Sequence, residues 1–253
     1  MSTNIIDLPA RSRVPADDAV AKIGPNAVIQ LVAALRDRGL EQKLAPAFVA
    51  SGVHGWLDSP PGEMVDAARV GRLYRAVRAN LPPALDAALM REAGRRTAEY
   101  LLRARIPRPV QMLLKILPAR LAAMSLLAAI RAHAWTFAGA ARFSARSGKF
   151  AVMEMRENPL CVPDSAAHPA CFWHEAVFQR LFEVLVSPQA RVVETACEAA
   201  GDSCCRFMVT WTRSKRPRPS HGKAVTRSSL LSVMKEKSSV SGTQEAKRTL
   251  FQS

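Results

Sequence analysis

The chain has 253 residues, 49% of them hydrophobic, and carries a net charge of +15. That length allows one generous domain or two small ones with a real apolar core. Ten basic residues lie beyond Thr212 against only Glu236 and Glu245, so much of the charge sits in one stretch. No helix-turn-helix, finger or RNA-binding signature accompanies the rest, and a nucleic-acid partner is not expected.

The opening MSTNIIDLPARSRVPADD lacks the apolar segment of a secretory signal. The most apolar window, Leu121 to Ile130, is closed by Arg120 and Arg131 and falls short of the about 20 residues that span a bilayer. These features predict a cytoplasmic protein, with peripheral contact to a photosynthetic membrane left open.

Residues 1–20 read as a flexible lead-in. Pro25 opens a first helix whose Val28, Leu31, Val32 and Leu35 share a face, and Gly39 stops it. Ser51 to Met64 holds three glycines and two prolines and reads as a loop. A second helix starts at Pro83 and runs through Leu101 until Pro107 and Pro109 break it. A third is expected from about Val110 to Ala141, with a kink at Pro118. Phe150 to Met155 is strand-like, Cys171 to Val186 is helical by period, and Pro188 closes that helix. Arg191 to Cys197 and Cys205 to Trp211 then form a hairpin around Gly201-Asp202.

N-terminal helices followed by an antiparallel sheet with packed helices predict the α+β class. The expected organisation is a helical part over 21–148, a C-terminal part over 149–211, and a basic Ser/Lys-rich tail over 212–253. The tail is too poor in large apolar residues to offset the entropy of ordering.

Two blocks resemble the bacteriochlorophyll 4-vinyl reductase family. The first, Gly94 to Phe143, contains TAEYLLRARIPRPVQMLLKILP and AIRAHAWTFAGAARF; the second, Lys149 to Trp211, ends in ETACEAAGDSCCRFMV and is similar to the vinyl-4-reductase ligand-binding domain. That domain also serves as the effector sensor of aromatic-responsive transcription activators. The resemblance implies helices packed on an antiparallel sheet, a homodimer, and a buried pocket for a planar ligand. It implies as partners a magnesium tetrapyrrole, divinyl protochlorophyllide or chlorophyllide, and other bacteriochlorophyll-pathway enzymes. The implied step reduces the 8-vinyl group (4-vinyl in older numbering) to ethyl. The Ser/Lys-rich tail departs from the family pattern.

Vinyl reduction needs a hydride or paired electrons, which side chains cannot supply. The chain has neither a G-x-G-x-x-G fingerprint after a strand nor a ferredoxin-like run of four cysteines. NADPH is a cofactor only under the reductase reading. The alternatives are a non-catalytic carrier or activator that delivers pigment to other enzymes, and a small-molecule sensor acting through a partner.

Five cysteines, with Cys204 and Cys205 adjacent, argue against a disulfide framework. In the resembling sensor domains a structural zinc is held by cysteine, glutamate and two further cysteines, a pattern that falls here on Cys171, Glu194, Cys197 and Cys205, with Cys204 as a possible substitute. Such closed coordination is structural. Buried, unliganded cysteines packing as small apolar residues are the competing reading.

His133, with Trp135 and Phe137 close behind it, is the candidate axial ligand and aromatic wall for the pigment; a helix-face histidine bonded to backbone or water is the alternative. Phe143, Trp173 and Phe178 either line that pocket or pack the core. His174, next to Glu175, is expected to cap a helix or face solvent, and His54 lies in the glycine-rich loop. Arg103, Arg105 and Arg108 suit a propionate or form a solvated face. Val110 to Ile130 is read as a buried core helix, or else as a segment resting on a membrane surface.

Overall fold

The computed structural model describes residues 20–161, 166 and 168–211. The lead-in and the basic tail expected from the sequence lie, but for Val20, outside them. The α+β class is observed.

The chain begins with a two-residue strand, β1 (Lys22–Ile23), which pairs antiparallel with β2 (Val65–Asp66). Between them lie α1 (Asn26–Arg36) and α2 (Glu41–Ala50). Helix α1 buries Val28, Leu31, Val32 and Leu35 as its period predicts, and the chain turns away at Gly39 with φ 61°. Only Gly adopts that backbone conformation at no steric cost. Asp66 caps α3 (Ala67–Ala79), its carboxylate accepting the N–H groups of Ala68 and Arg69.

The long helix α4 (Pro83–Ala104) starts with proline at its first position, where no backbone N–H is needed. Past Pro107 the single helix expected over 110–141 is three: α5 (Arg108–Ile116), α6 (Ala119–Ala132) and the short α7 (Trp135–Ala138). Leu117, ahead of Pro118, is extended at φ −67°, ψ 152°. Proline sterically bars the preceding residue from the helical region, so the chain breaks there instead of kinking.

The sheet is antiparallel, in the order β3-β4-β6-β5. Its strands are β3 (Arg142–Ser147), β4 (Ala151–Arg156), β5 (Arg191–Ala196) and β6 (Cys205–Thr210). Alternate residues point to one face: Ala151, Met153 and Met155 of β4 and Cys205, Phe207 and Val209 of β6 are buried. The expected β5–β6 hairpin is present, turning through Gly201 at φ 92°. Strand β3, with no buried residue, is an exposed edge that the sequence pattern does not announce.

Helix α8 (Phe172–Leu185) lies in contact with both the sheet and α4. Eight of its 14 residues are buried, which makes it the central element of the core. The approach of α4 is set by Gly94: a Cβ there would run into the Trp173 carbonyl oxygen and lie 2.9 Å from the Ala176 Cβ. The obstacle is helix backbone, which cannot rotate away. Gly94→Ala should therefore destabilise the protein by about 1–3 kcal/mol through overpacking, although glycine-to-alanine in a helix interior ordinarily stabilises. Thermal melting of the two proteins checks this, and an unchanged or higher Tm would refute the close contact.

Candidate functional site

Four strand and helix ends converge at one edge of the sheet, and each delivers a cysteine. Cys161 closes a short 3-10 turn (Pro159–Cys161) after β4, Cys171 is the N-cap of α8, Cys197 follows β5, and Cys205 opens β6. All four are buried and free, and their sulfurs lie within 4.8 Å of one another. The separations are 3.4 Å for Cys161–Cys197, 3.7 Å for Cys171–Cys197 and 3.5 Å for Cys171–Cys205. Four thiolates around a tetrahedral metal with bonds of about 2.3 Å stand about 3.8 Å apart. The donor set therefore fits a closed thiophilic metal site.

The surroundings favour negative sulfur. Ala199 N–H donates to Cys161 Sγ at 3.0 Å, and the Asn158 side-chain amide to Cys171 and Cys205 at 3.4 and 3.5 Å. The Ala170 backbone serves Cys197. Asn158 is itself fixed, since its Oδ1 accepts from Leu160 N–H and its own N–H donates to Glu198. Such outer partners orient and tune metal ligands. With protons in place of a metal, hydrogen bonds from Cys161, then Cys171 and Cys205, hold Cys197 well below the usual thiol range. Cys171 and Cys205 are pushed up, each chiefly through Cys161. One thiolate ringed by thiols results, and a divalent cation could displace the remaining protons.

Of the expected metal residues, the structure brings together Cys171, Cys197 and Cys205. Glu194 stands beside them: its Oε2 accepts the Cys171 N–H at 2.8 Å, while Oε1 is buried without a partner. Burial first, and then the Cys197 charge, push its carboxyl up to about 9. Cys161 was given no role by the sequence, because its ten-residue separation from Cys171 matches no familiar knuckle spacing. Cys204 is buried outside the cluster.

Beneath the cluster, α8 carries His174 into an aromatic nest. Its ring lies 4.9 Å from Trp173 and 6.1–6.3 Å from Phe137, Phe178 and Phe207, centroid to centroid. Phe137 also stacks edge-on with Phe143 at 5.4 Å. His174 is 1% exposed, not solvent-facing as its neighbour Glu175 suggested, and its Nε2 has no hydrogen-bond partner. Glu175 turns to Arg91 at 3.6 Å. His133 ends α6 at the exposed surface, bonded to the Ala129 carbonyl at 2.9 Å, and Trp135 is 58% exposed. Only Phe137 of that expected trio reaches the nest. Arg103, Arg105 and Arg108 are exposed. A separate alanine-rich hollow of about 480 Å³ presents Asp66 and Glu157, which suits no anionic ligand.

Residues 151–210, spanning the thiol cluster and the nest's α8, match the vinyl-4-reductase (V-4-R) domain. The bacteriochlorophyll synthase 23 kDa chain of Cereibacter sphaeroides is 40% identical over 196 residues, covering 77% of this chain and 94% of that one. The chain of the same name from Rhodobacter capsulatus is 35% identical over 207 residues, covering 81% and 94%. The chain belongs to this vinyl-4-reductase-domain family of bacteriochlorophyll biosynthesis. Among solved structures, an unliganded Fe(II) H-NOX protein of K. algicida aligns with a TM-score of 0.52 at 12% identity, over 76% of this chain and 98% of that one. That likeness supports the α+β fold. The domain match thus places both the four thiols and His174 inside the family's shared unit.

Burial holds His174 down at about 4, against 6.5 for the free side chain. The folded pKa is the lower one, so the unfolded chain binds the extra proton between those values. Stability is present above about pH 6.5 and is lost as pH falls toward 4, by an amount on the order of 3 kcal/mol. Melting curves across that window should fall less steeply for His174→Leu than for the parent. Equal slopes would show that the imidazole is not held neutral.

Proposed function

We propose that this protein serves bacteriochlorophyll synthesis by binding a magnesium tetrapyrrole, divinyl protochlorophyllide or chlorophyllide, and presenting it for 8-vinyl reduction by another enzyme. The observation that carries the reading is His174, a buried neutral imidazole with an unpartnered nitrogen among aromatic rings. A buried nitrogen without a partner costs free energy, and an axial bond to a pigment metal would satisfy it while Phe137 and Phe178 stack on the macrocycle. The cover is slight. Helix α7 has four residues and ends at Gly139 with φ 59°, so displacing it parts Phe137 from α8. His133 and Trp135 flank that opening and form the second candidate contact. The names of the relatives describe one chain of a synthase, which suits a protein that works beside others.

The four thiols hold a structural zinc in this reading. Closed coordination by Cys161, Cys171, Cys197 and Cys205 leaves no open position for substrate, so the metal would fix the fold while α8 presents the pigment. Glu194 is the fourth ligand that the family resemblance implies, and its unpartnered Oε1 keeps it in contention with Cys161. Zinc analysis of purified protein should give about one equivalent per chain. Cys161→Ser should lower both zinc content and Tm, whereas Glu194→Gln should retain the metal. The reverse pattern would return the fourth position to Glu194, and a metal-free parent of unchanged stability would remove zinc from the account.

The pigment reading is tested by titrating the protein with divinyl protochlorophyllide, with and without NADPH, and following absorption and products. A shifted bound spectrum without product is expected, weakened roughly tenfold or more in His174→Leu, as loss of a metal contact does. Loss in His133→Ala alone would move the ligand to the exposed site. Monovinyl product with NADPH would make the chain the reductase itself, and an unshifted spectrum would end the tetrapyrrole proposal.

A further inference from the structure

The apolar face of α5 points away from the protein. Pro109, Met112, Leu113 and Ile116 stand at the i, i+3, i+4, i+7 spacing of one helix face, and all are exposed; Met112, Leu113 and Ile116 are 67%, 54% and 79% accessible. Leu114 is the sole buried residue of that helix. On α6, Leu121 and Met124 are about half exposed, while Ala122, Ala123, Leu126 and Leu127 face the core. A soluble helix normally turns its apolar stripe inward, and a contiguous exposed patch marks an interaction surface.

The charges around this face are all of one sign. No Asp or Glu occurs between Glu99 and Glu154. Arg103, Arg105, Arg108, Lys115, Arg120 and Arg131 are all exposed, and none has an acidic partner among the described residues. A second copy of the chain would set this basic rim against itself. Protein interfaces lean on aromatic anchors and hydrogen-bonding side chains. Here no aromatic residue lies between Tyr100 and Trp135, and the Gln111 amide is already committed to the Leu102 and Ile106 carbonyls. Flexible Met and Leu side chains ringed by Arg and Lys are what an interfacial helix needs.

We propose that the α5–α6 face seats the protein on an anionic lipid bilayer. Pro109, Met112, Leu113, Ile116, Leu121 and Met124 enter the acyl boundary, and the surrounding arginines and Lys115 pair with the lipid phosphates. No helix of the described residues is long and apolar enough to cross a membrane, so the attachment lies in the surface plane.

Flotation of the full chain with phosphatidylcholine vesicles, with or without phosphatidylglycerol, tests this. The protein should float with the anionic vesicles alone and be released by high salt. The double variant Met112→Glu, Ile116→Glu should lower the bound fraction roughly tenfold or more with an unchanged Tm, since both side chains are exposed. Parent protein that does not float overturns the proposal. So does a double variant that floats like the parent, which would assign binding to the basic residues beyond Thr212. A parent that sediments as a dimer, becomes monomeric in the double variant and does not float would make the face a contact between copies. Pigment titration of the double variant keeps this test separate from the tetrapyrrole reading, because α5 contributes nothing to the His174 nest.

Discussion

Four buried cysteine sulfurs have to share a space a few ångströms across, and much of the C-terminal half is arranged around that requirement. Bare thiols satisfy one another poorly, so backbone and amide N–H groups from Ala170, Ala199 and Asn158 are aimed at the sulfurs. Aiming them needs a strained loop. Glu157 adopts φ 62° without being glycine, and the Glu198 carboxylate takes the N–H groups of both Glu157 and Asn158 at 2.7 and 2.8 Å. A positive φ at a non-glycine residue costs free energy and persists only where the surroundings enforce it. The cluster thereby fixes the start of α8 against β4, β5 and β6, and His174, less than one helical turn beyond Cys171, is carried to a set depth beneath the sheet.

This dependence explains what could be read from the chain and what could not. Helices α1, α4 and α8 and the β5–β6 hairpin carry strong local signals: an apolar stripe or alternation, punctuated by Pro25, Pro83, Pro188 and the Gly201 turn. Strand β3 carries almost none, because an edge strand with both faces largely open has little reason to alternate. At Pro118 the sequence announces an interruption, but a kink and a break look alike until Leu117 is seen extended. Helix α3 displays Val70, Leu73, Tyr74 and Val77 at helical spacing and was legible in principle.

The site was less legible than the fold, for a different reason. Cys171, Cys197 and Cys205 could be grouped through resemblance, but Cys161 joins them only because β4 runs beside β6 and the 3-10 turn then doubles back. Long-range pairing of this kind leaves no mark in spacing. His174 was obscured by Glu175, whose charge suggests a solvent-facing segment. Helix α8 is enclosed on most sides, and Glu175 is tolerated there because Arg91 of α4 meets it. His133 stood out for its aromatic neighbours, yet the end of α6 leaves it and Trp135 at the surface and turns only Phe137 inward.

The two ends of α6 carry different business. Its first turn, with Leu121, belongs to the outward apolar face, and its last turn leads into the His133–Trp135 bend that covers the histidine nest. Fourteen residues at 1.5 Å each separate them by about 20 Å. A bilayer seated at the first end therefore leaves the second free, and α7 can move without detaching the protein. A planar, apolar pigment partitions strongly into lipid, so a protein that holds it gains from standing at the bilayer surface while keeping its own opening outside the acyl region. The basic, acid-free stretch from α5 through β3 suits that posture, since it draws the protein to anionic lipid without engaging the buried carboxyl and thiol groups of the C-terminal half.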